Sequence, residues 1–406
     1  MVLASDLKDV ALAQKKDLER FDYGIPRNQL ESLDAGTPHF ARILVGVRRC
    51  GKSTLMQQIR RKNGGGNYFN FEDPRISGFQ AEDFQKLLGA LQEAYGKSNA
   101  YYFDEIQVIG KWEWFVRQLL DSKKRVTVTG SNASLFGQKT GTKLTGRHLD
   151  TEVFPFNYEE TLGFSKEPAG SQSYGKYLET GGFPEYLRTG RAEVPQRLFD
   201  DILARDIIAR KNIRNSAQLR ELAIALVSNI GKEFSYHSLK KALEIPAVQT
   251  VIDYASFLQD SFLLFAVQKF DYSYKKRLIG PKKIYAVDTG LAKNLSSAFS
   301  EDKGRLLENA AYLELRKRHG RDSVFFYKGV KECDFVVREK NALTQAIQVA
   351  YSLDSDNKKR ELDGLLEALG KFKLNNGLII THDQEDELTI NNKKISVKPA
   401  WKWMLE

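Results

Sequence analysis

Gly46 to Ser53 run Gly-Val-Arg-Arg-Cys-Gly-Lys-Ser, with Thr54 behind them. A glycine, four residues and then Gly-Lys-Ser is the spacing with which a backbone loop wraps phosphate oxygens. The N–H groups of Gly46, Val47, Arg48, Arg49, Cys50 and Gly51 would face the anion, as would the positive end of a helix opening at Lys52, Ser53 and Thr54. Lys52 would reach the β- and γ-phosphates, and the Ser53 hydroxyl would ligate Mg²⁺. A second group is Asp104-Glu105, two adjacent carboxylates behind the apolar run Ala100-Tyr-Tyr-Phe103. Asp104 would belong to the Mg²⁺ shell. Glu105 is placed to take a proton from an attacking water as general base. An Asp-Glu pair after a strand can also cap a helix, but beside a phosphate loop the two groups together point to a nucleotide site. Gly130-Ser131-Asn132 ends another strand, where either Ser131 or Asn132 can touch the γ-phosphate or the water; a turn closed by small polar residues is the plainer reading.

The elements that must carry these residues alternate. Phe40 to Val45 is an apolar run of strand length, and Leu55 to Lys62 is a helix with its charges gathered at the end, stopped by Asn63-Gly-Gly-Gly66. Tyr68 to Glu72 is a second strand before Asp73-Pro74. Ala81 to Tyr95 has helical period, with Phe84, Leu87, Leu88, Leu91 and Tyr95 on one face. Ala100 to Phe103 is the third strand, Lys111 to Leu120 a helix, Arg125 to Thr129 the fourth strand, and Leu149 to Phe154 another strand-like stretch. Residues 1–36 fit one or two helices. Strand, loop, helix, repeated, predicts an α/β domain with a doubly wound parallel sheet.

The set GVRRCGKST, YYFDEIQ, VTVTGSNAS, LTGRH followed by FPFNYEE, then GGFPEYL, is similar to a family of prokaryotic AAA-type P-loop ATPases that join an ATPase domain to a C-terminal region of unknown function. The resemblance runs from about Leu30 to beyond Gly377. It implies ATP rather than GTP, and the sequence contains no Asn-Lys-x-Asp guanine motif. It also draws attention to Arg147, since a guanidinium can neutralise γ-phosphate charge. In related ATPases such an arginine acts within its own site or in a neighbouring subunit's; a plain surface arginine is the competing reading.

Further along, Lys176 to Arg214 is helical and rich in arginine. Helices at Ala217–Ile230, Ser235–Leu243 and Ala247–Gln259 precede strand-like runs Phe262–Val267 and Lys283–Val287, a winged helix-turn-helix pattern. Between those runs lies KFDYSYKKRLIGPKK, whose Lys275, Lys276 and Arg277 are candidates for DNA phosphates; a protein-docking hairpin is the alternative. The last hundred residues run helix, three strands, helix, strand, an order similar to the restriction-endonuclease-like core. There a helix glutamate, a strand aspartate and a downstream Glu-x-Lys bind metal and activate water. Glu308 and Asp334 match the first two positions. The third reads Gln348-Val-Ala350, without carboxylate or lysine, so nuclease activity is not expected; Asp334 paired with a nearby lysine is an alternative.

The chain has 406 residues, 42% hydrophobic and 28% charged, with 62 Lys and Arg against 52 Asp and Glu, a net charge of +10. This suits a multidomain globular protein. No apolar run is long enough to span a membrane, and the charged N-terminus lacks a signal-peptide core, so a cytoplasmic protein is expected. Two cysteines cannot make a disulfide framework. The expected organisation is an AAA-type P-loop ATPase domain with an N-terminal helix (1–160), a helical linker (161–215), a winged helix-turn-helix (216–295) and an inactive nuclease-like α/β domain (300–406). The expected partners are ATP with Mg²⁺, double-stranded DNA or an unidentified protein, and no membrane, with oligomerisation open. The expected function is ATP hydrolysis gating a DNA-contacting module; the alternatives are an ATP-gated protein scaffold and an ATP-regulated nuclease.

Overall fold

The computed structural model describes residues 2–34, 36–131, 144, 146–296 and 302–406. They form two compact units, Met1–Phe154 and Pro155–Glu406. Among the described residues, no helix is long and apolar enough to cross a membrane.

In the first unit, α1 (Ala4–Glu19) precedes β1 (Ala41–Val45), α2 (Lys52–Lys62), β2 (Asn67–Asn70), α3 (Phe84–Tyr95), β3 (Ala100–Asp104), α4 (Trp112–Asp121), β4 (Arg125–Gly130) and β5 (His148–Glu152). The five strands are parallel in the order β2-β3-β4-β1-β5. Every residue of β1 is buried, as expected of a strand covered on both faces. α3 buries Phe84, Leu87, Ala90, Leu91 and Ala94 and leaves Leu88 and Tyr95 half-buried. Its Phe84 ring stacks on Phe115 of α4, with centroids 4.1 Å apart. α1 closes the free edge of β2, because the Gln14 amide donates to Asn70 O (3.1 Å) and accepts from Asn70 N (2.9 Å). Register then decides function. Val45 stands opposite Gly130, and Asn70 opposite Asp104, so β1, β3 and β4 all end at one edge of the sheet. Because β1 lies between β4 and β5 while β2 is at the far edge, that edge is where the strand order switches and a crevice opens.

The second unit opens with α5 (Tyr158–Ser165), α6 (Ser171–Thr180), α7 (Pro184–Thr189), α8 (Glu193–Asp201), a π-helical stretch Ile202–Ile208 and α9 (Ala209–Lys211). Next come α10 (Ser216–Val227), β6 (Glu233–Phe234), α11 (Tyr236–Ala242), α12 (Val248–Asp260), β7 (Leu264–Gln268), α13 (Tyr274–Ile279), β8 (Lys282–Ala286) and α14 (Thr289–Leu295). β6, β8 and β7 make an antiparallel sheet in that order. The basic stretch between β7 and β8, read from sequence as part of a wing hairpin, contains α13, begun by the Ser273 side chain accepting from Lys276 N.

The unit ends with α15 (Lys303–His319), β9 (Val324–Lys328), β10 (Glu332–Glu339), β11 (Ala342–Val349), α16 (Lys358–Phe372), β12 (Asn376–Thr381), β13 (Asp386–Ile390), β14 (Lys393–Pro399) and α17 (Ala400–Trp403). Its sheet runs β13-β14-β12-β11-β10-β9; β11, β12 and β14 are parallel, and the flanking pairs antiparallel. β13, β14 and α17 lie beyond the last element expected from sequence.

The Gly-Gly-Phe-Pro-Glu stretch is a packing requirement. The buried Asp288 carboxylate accepts from Gly182 N (2.6 Å) and Leu291 N (2.8 Å), while Gly182 O accepts from Phe156 N (2.8 Å). A Cβ at Gly182 would lie 1.9 Å from Phe156 O, a backbone atom that cannot swing aside. Gly182→Ala is expected to lower the free energy of unfolding of this unit by about 3 kcal/mol or more, the range of severe steric substitutions. Gly163→Ala, in the helix interior with open space around it, should change it by under about 1 kcal/mol. Urea unfolding followed by circular dichroism checks both, and equal midpoints for the two variants would refute the steric account.

Candidate functional site

The phosphate-type loop leaves the end of β1 at Gly46, whose φ of 155° and close approach to the Val153 carbonyl (a Cβ would lie 2.0 Å from its oxygen) exclude any side chain. It enters α2 at Gly51, with φ 99° in the left-handed region. Leu55, Met56 and Ile59 of α2 are buried, and Arg60, Arg61 and Lys62 close its last turn, where cations suit the dipole. The helix N-terminus is thereby held facing the loop. Lys52 is 4% exposed and folds back across the loop, donating from Nζ to Gly46 O (3.1 Å) and Val47 O (3.0 Å), with Glu105 Oε1 at 3.8 Å.

Asp104 ends β3 and is buried. Its Oδ1 accepts from Ser53 Oγ (3.0 Å) and from the Thr129 hydroxyl, and its Oδ2 from Tyr68 OH (3.3 Å). Burial pushes its pKa up to about 6, and the neighbouring Glu105 adds to this; the Thr129 and Ser53 hydroxyls and Lys52 oppose it. The chain turns at once: Glu105 has φ 52° and ψ 38°, and its N–H donates to Thr129 Oγ1 (2.9 Å). A non-glycine residue in this region is uncommon. Here the turn sends two consecutive side chains from the strand end in different directions, Asp104 to Ser53 and Glu105 toward Lys52. The Gln107 amide donates to Glu105 Oε2. A hydroxyl and a carboxylate from Ser53 and Asp104 are the hard oxygen donors that suit Mg²⁺.

The structure therefore gathers Gly46, Lys52, Ser53, Asp104 and Glu105. Arg48 pairs with Glu72 (3.1 Å), and Arg49 takes a left-handed φ of 63°. Ser131 is buried at the tip of β4, and Asn132 lies outside the described residues. Arg147 is not brought to this edge. It precedes His148, which pairs with Ala41 at the start of β1, whereas the loop follows Val45 at the other end. At about 3.3 Å per residue the intervening strand separates them by roughly 15 Å, and the Arg147 guanidinium instead binds Asp121 (2.5 Å). Of the readings open for Arg147, this placement favours action on a neighbouring subunit's site or a plain surface role over action within its own.

Two residues here carried no sequence signal strong enough to single them out. Thr129 serves both Asp104 and Glu105, and only its place at the end of a strand hinted at a polar role. Arg27, buried, donates to Cys50 O (2.9 Å) and Phe154 O (2.7 Å) and so braces the loop from the segment before β1. Cys50 points into the core, its Sγ on Val153 O (3.2 Å), and burial pushes its thiol pKa up. An activated thiol at the helix N-terminus is therefore absent.

In the second unit, Lys275 and Lys276 are exposed on α13, while Arg277 is half-buried, donates to Asp271 O (3.1 Å) and stacks near Tyr274 and Phe325. With Arg321 and Arg338 it lines a cavity of about 420 Å³. Glu308 and Asp334 do converge, on Lys283 of β8: its Nζ lies 3.1 Å from Glu308 Oε1, 3.2 Å from Asp334 Oδ1 and 2.8 Å from Glu332 Oε1. Burial draws the Lys283 pKa down, but Tyr285, Glu308, Asp334 and Glu332 outweigh it and hold it well above the usual lysine value. Burial raises the Glu308 carboxyl. Gln348 lies beside Asp334 and donates to Glu361 (2.6 Å).

Comparison with known proteins adds family context. Residues 39–162 match an AAA domain, 171–302 a domain of unknown function (DUF8612) and 303–403 another (DUF4143). The chain is 32% identical to the uncharacterized protein MJ1544 of Methanocaldococcus jannaschii over 398 residues, 91% of this chain and 89% of that one. It is 26% identical to an uncharacterized Haemophilus influenzae protein over 89% of this chain and 94% of that one. AMPPCP-bound DnaA from Aquifex aeolicus aligns at 14% identity over 62% of this chain and 88% of that chain, with a TM-score of 0.27, which carries no argument. The AAA match and the parallel five-stranded sheet make the first unit a P-loop NTPase-type α/β domain, and the similarity supports ATP binding.

Both cysteines are fully buried, and burial raises both thiols. The native chain is expected to react with no equivalent of a disulfide reagent such as Ellman's over minutes, and with two after denaturation. Rapid native labelling of one thiol would refute the inward placement of Cys50 or Cys333.

Proposed function

Because the chain belongs to the same family as the Methanocaldococcus jannaschii protein MJ1544 over about nine-tenths of both lengths, its two units are taken as parts of one working protein, and we propose that it is a cytoplasmic, Mg²⁺-dependent ATPase whose nucleotide cycle acts on a DNA-contacting C-terminal unit. The observation that carries this reading is the group at the sheet edge: Lys52 beside Glu105, and Ser53 hydrogen-bonded to Asp104, at the mouth of a glycine loop. The loop N–H groups and the start of α2 bind the phosphates. Lys52, which bridges two loop carbonyls here, turns its ammonium to the β- and γ-phosphates. Ser53 and Asp104 hold Mg²⁺, which neutralises charge on the phosphates. Glu105 accepts the proton of the attacking water, with Gln107 fixing one of its oxygens. Arg147, remote in its own chain, is left to act on a second copy's site, which makes hydrolysis dependent on assembly.

DNA contact by the second unit is supported by the order α10, β6, α11, α12, β7 and β8, which is similar to that of a winged helix-turn-helix. Exposed Lys275 and Lys276, with Arg277 behind them, supply phosphate partners. A protein-docking reading is favoured by the apolar residues on the same helix and its approach: Ile279 and Tyr272 are each 76% exposed.

Lys52→Ala is expected to weaken ATP binding and turnover together. Glu105→Gln should keep binding and slow hydrolysis by roughly 100-fold or more. Steady-state hydrolysis with nucleotide-binding titrations decides; parent-like turnover by Glu105→Gln would remove Glu105 as the base. Replacing Lys275, Lys276 and Arg277 with alanine should reduce the slope of log affinity for duplex DNA against log salt by about 0.9 per lost contact. Unchanged affinity and slope would instead support the protein-docking reading.

A further inference from the structure

The element order of residues 303–381 is similar to a nuclease-like core whose metal centre would fall at Glu308, Asp334 and Gln348, and the residues present do not fit one. The place between Glu308 and Asp334 is taken by the chain's own cation: Lys283 Nζ reaches one oxygen of each, and one of Glu332, within 3.2 Å, with the lysine side chain 3% exposed. Other oxygen lone pairs there are also engaged. Tyr285 OH donates to Glu308 Oε1 (2.7 Å), and Val349 N to Asp334 Oδ2 (3.0 Å). Gln348 is used up as a bridge, its Oε1 accepting from Asp334 N (3.3 Å) and its Nε2 donating to Glu361 Oε2 (2.6 Å). Among the described residues, as they are arranged with Lys283 in place, no group of three His, Cys, Asp or Glu could hold a metal ion.

We propose that Lys283 is a built-in substitute for the divalent cation: the site is a metal-free ion cluster that fastens β8 to α15 and β10, and it takes up a divalent metal only when the ammonium is removed. Three features support this. An ammonium has three N–H donors, and three carboxylate groups surround this one at hydrogen-bond distance. The buried carboxylates cannot stay charged side by side without a positive partner, so a cation is required here and the fold supplies it. Finally, the lysine comes from the three-stranded sheet, whereas its anionic partners come from α15 and β10, so packing of the two parts delivers the charge. The rival assignment makes Lys283 the reacting lysine of a working nuclease, brought from a different strand. It would require Lys283 to leave the space between Glu308 and Asp334, and Gln348 to leave Glu361, before any metal entered.

The test is Mn²⁺ titration of the nucleotide-free full-length chain by electron paramagnetic resonance, with Asp334→Asn marking binding at this site and not at the phosphate loop. In the parent, Asp334→Asn is expected to leave Mn²⁺ stoichiometry unchanged. Lys283→Met, close in length and uncharged, should gain one Mn²⁺ per chain, with affinity at this site raised at least tenfold, and Asp334→Asn added to it should abolish the gain. If Lys283→Met does not fold, Lys283→Met with Glu332→Gln, which leaves less unpaired charge, is read by the same criterion. Parent Mn²⁺ binding that disappears in Asp334→Asn overturns the proposal, as does a folded Lys283→Met chain that gains none. Mn²⁺-dependent DNA cleavage by the parent, lost in both Lys283→Met and Asp334→Asn, would also overturn it and make Lys283 a catalytic residue.

Discussion

A carboxylate with almost no access to water must be surrounded by donors, and the first unit is arranged around one such group. Asp104 receives hydroxyls from Ser53, Thr129 and Tyr68, three residues from three different elements. Each arrives because β1, β2, β3 and β4 are parallel and in a register that ends them together. A slip of one residue would turn the Thr129 side chain to the other face and leave both Asp104 and the Glu105 N–H short of a partner. The same requirement fixes the loop. Lys52 is buried as well, and its ammonium is satisfied by the Gly46 and Val47 carbonyls and by Glu105 nearby. Those contacts tie the start of α2 to the loop and to the end of β3.

The second unit meets the same problem in the opposite way. Asp288 is satisfied by backbone N–H groups that two close chain approaches bring to it, and burial still pushes its pKa up to about 6. Glu308 and Asp334 are satisfied by Lys283, a cation the chain carries. In the first unit the buried charges stand at the edge of a sheet where the strand order switches, a place a ligand can enter. In the second they are closed off by their own counter-charge. Similar carboxylates are thus set for different ends by which partner the fold delivers.

How much of this can be read from the residues depends on range. The phosphate loop, its flanking strand and helix, and Asp104-Glu105 are local patterns, and the alternation around them leads to the parallel sheet. Four strands of the final sheet, β9 to β12, with α15 and α16, are legible in the same way, whereas β13, β14 and α17 are not. Thr129, Arg27, Lys283 and Glu361 act across long separations: Lys283 lies 51 residues from Asp334, and Arg27 lies 127 from Phe154. No local spacing marks such residues, since their importance comes only from which elements the fold lays side by side. Arg147 shows the complementary limit. It stands just before a strand, but a parallel strand has two ends, and the sequence does not say that this end lies on the far side of the sheet from the loop. The helix between β7 and β8 was hidden because its cations and aromatics also suit an exposed loop; the Ser273 cap is the signal that could have revealed it.

The position of Arg147 has a consequence for the proposed cycle. A strand is close to rigid along its axis, so no side-chain rotation carries a guanidinium held at the start of β5 to a phosphate at the end of β1. Its partner in this structure, Asp121, is more than half exposed, as is much of a surface pair of this kind, and such pairs contribute little to stability. The pair is therefore easily exchanged for a stronger anion. The loop of a second copy, carrying a nucleotide polyphosphate, is an anion of that kind, since phosphate oxygens accept the guanidinium fork more strongly than an exposed carboxylate does. On the proposed reading, chain association and nucleotide occupancy then reinforce one another: bound nucleotide draws Arg147 of a neighbour from Asp121, and that contact adds positive charge to the site. Binding energy between copies would thus be converted into rate only when nucleotide is present.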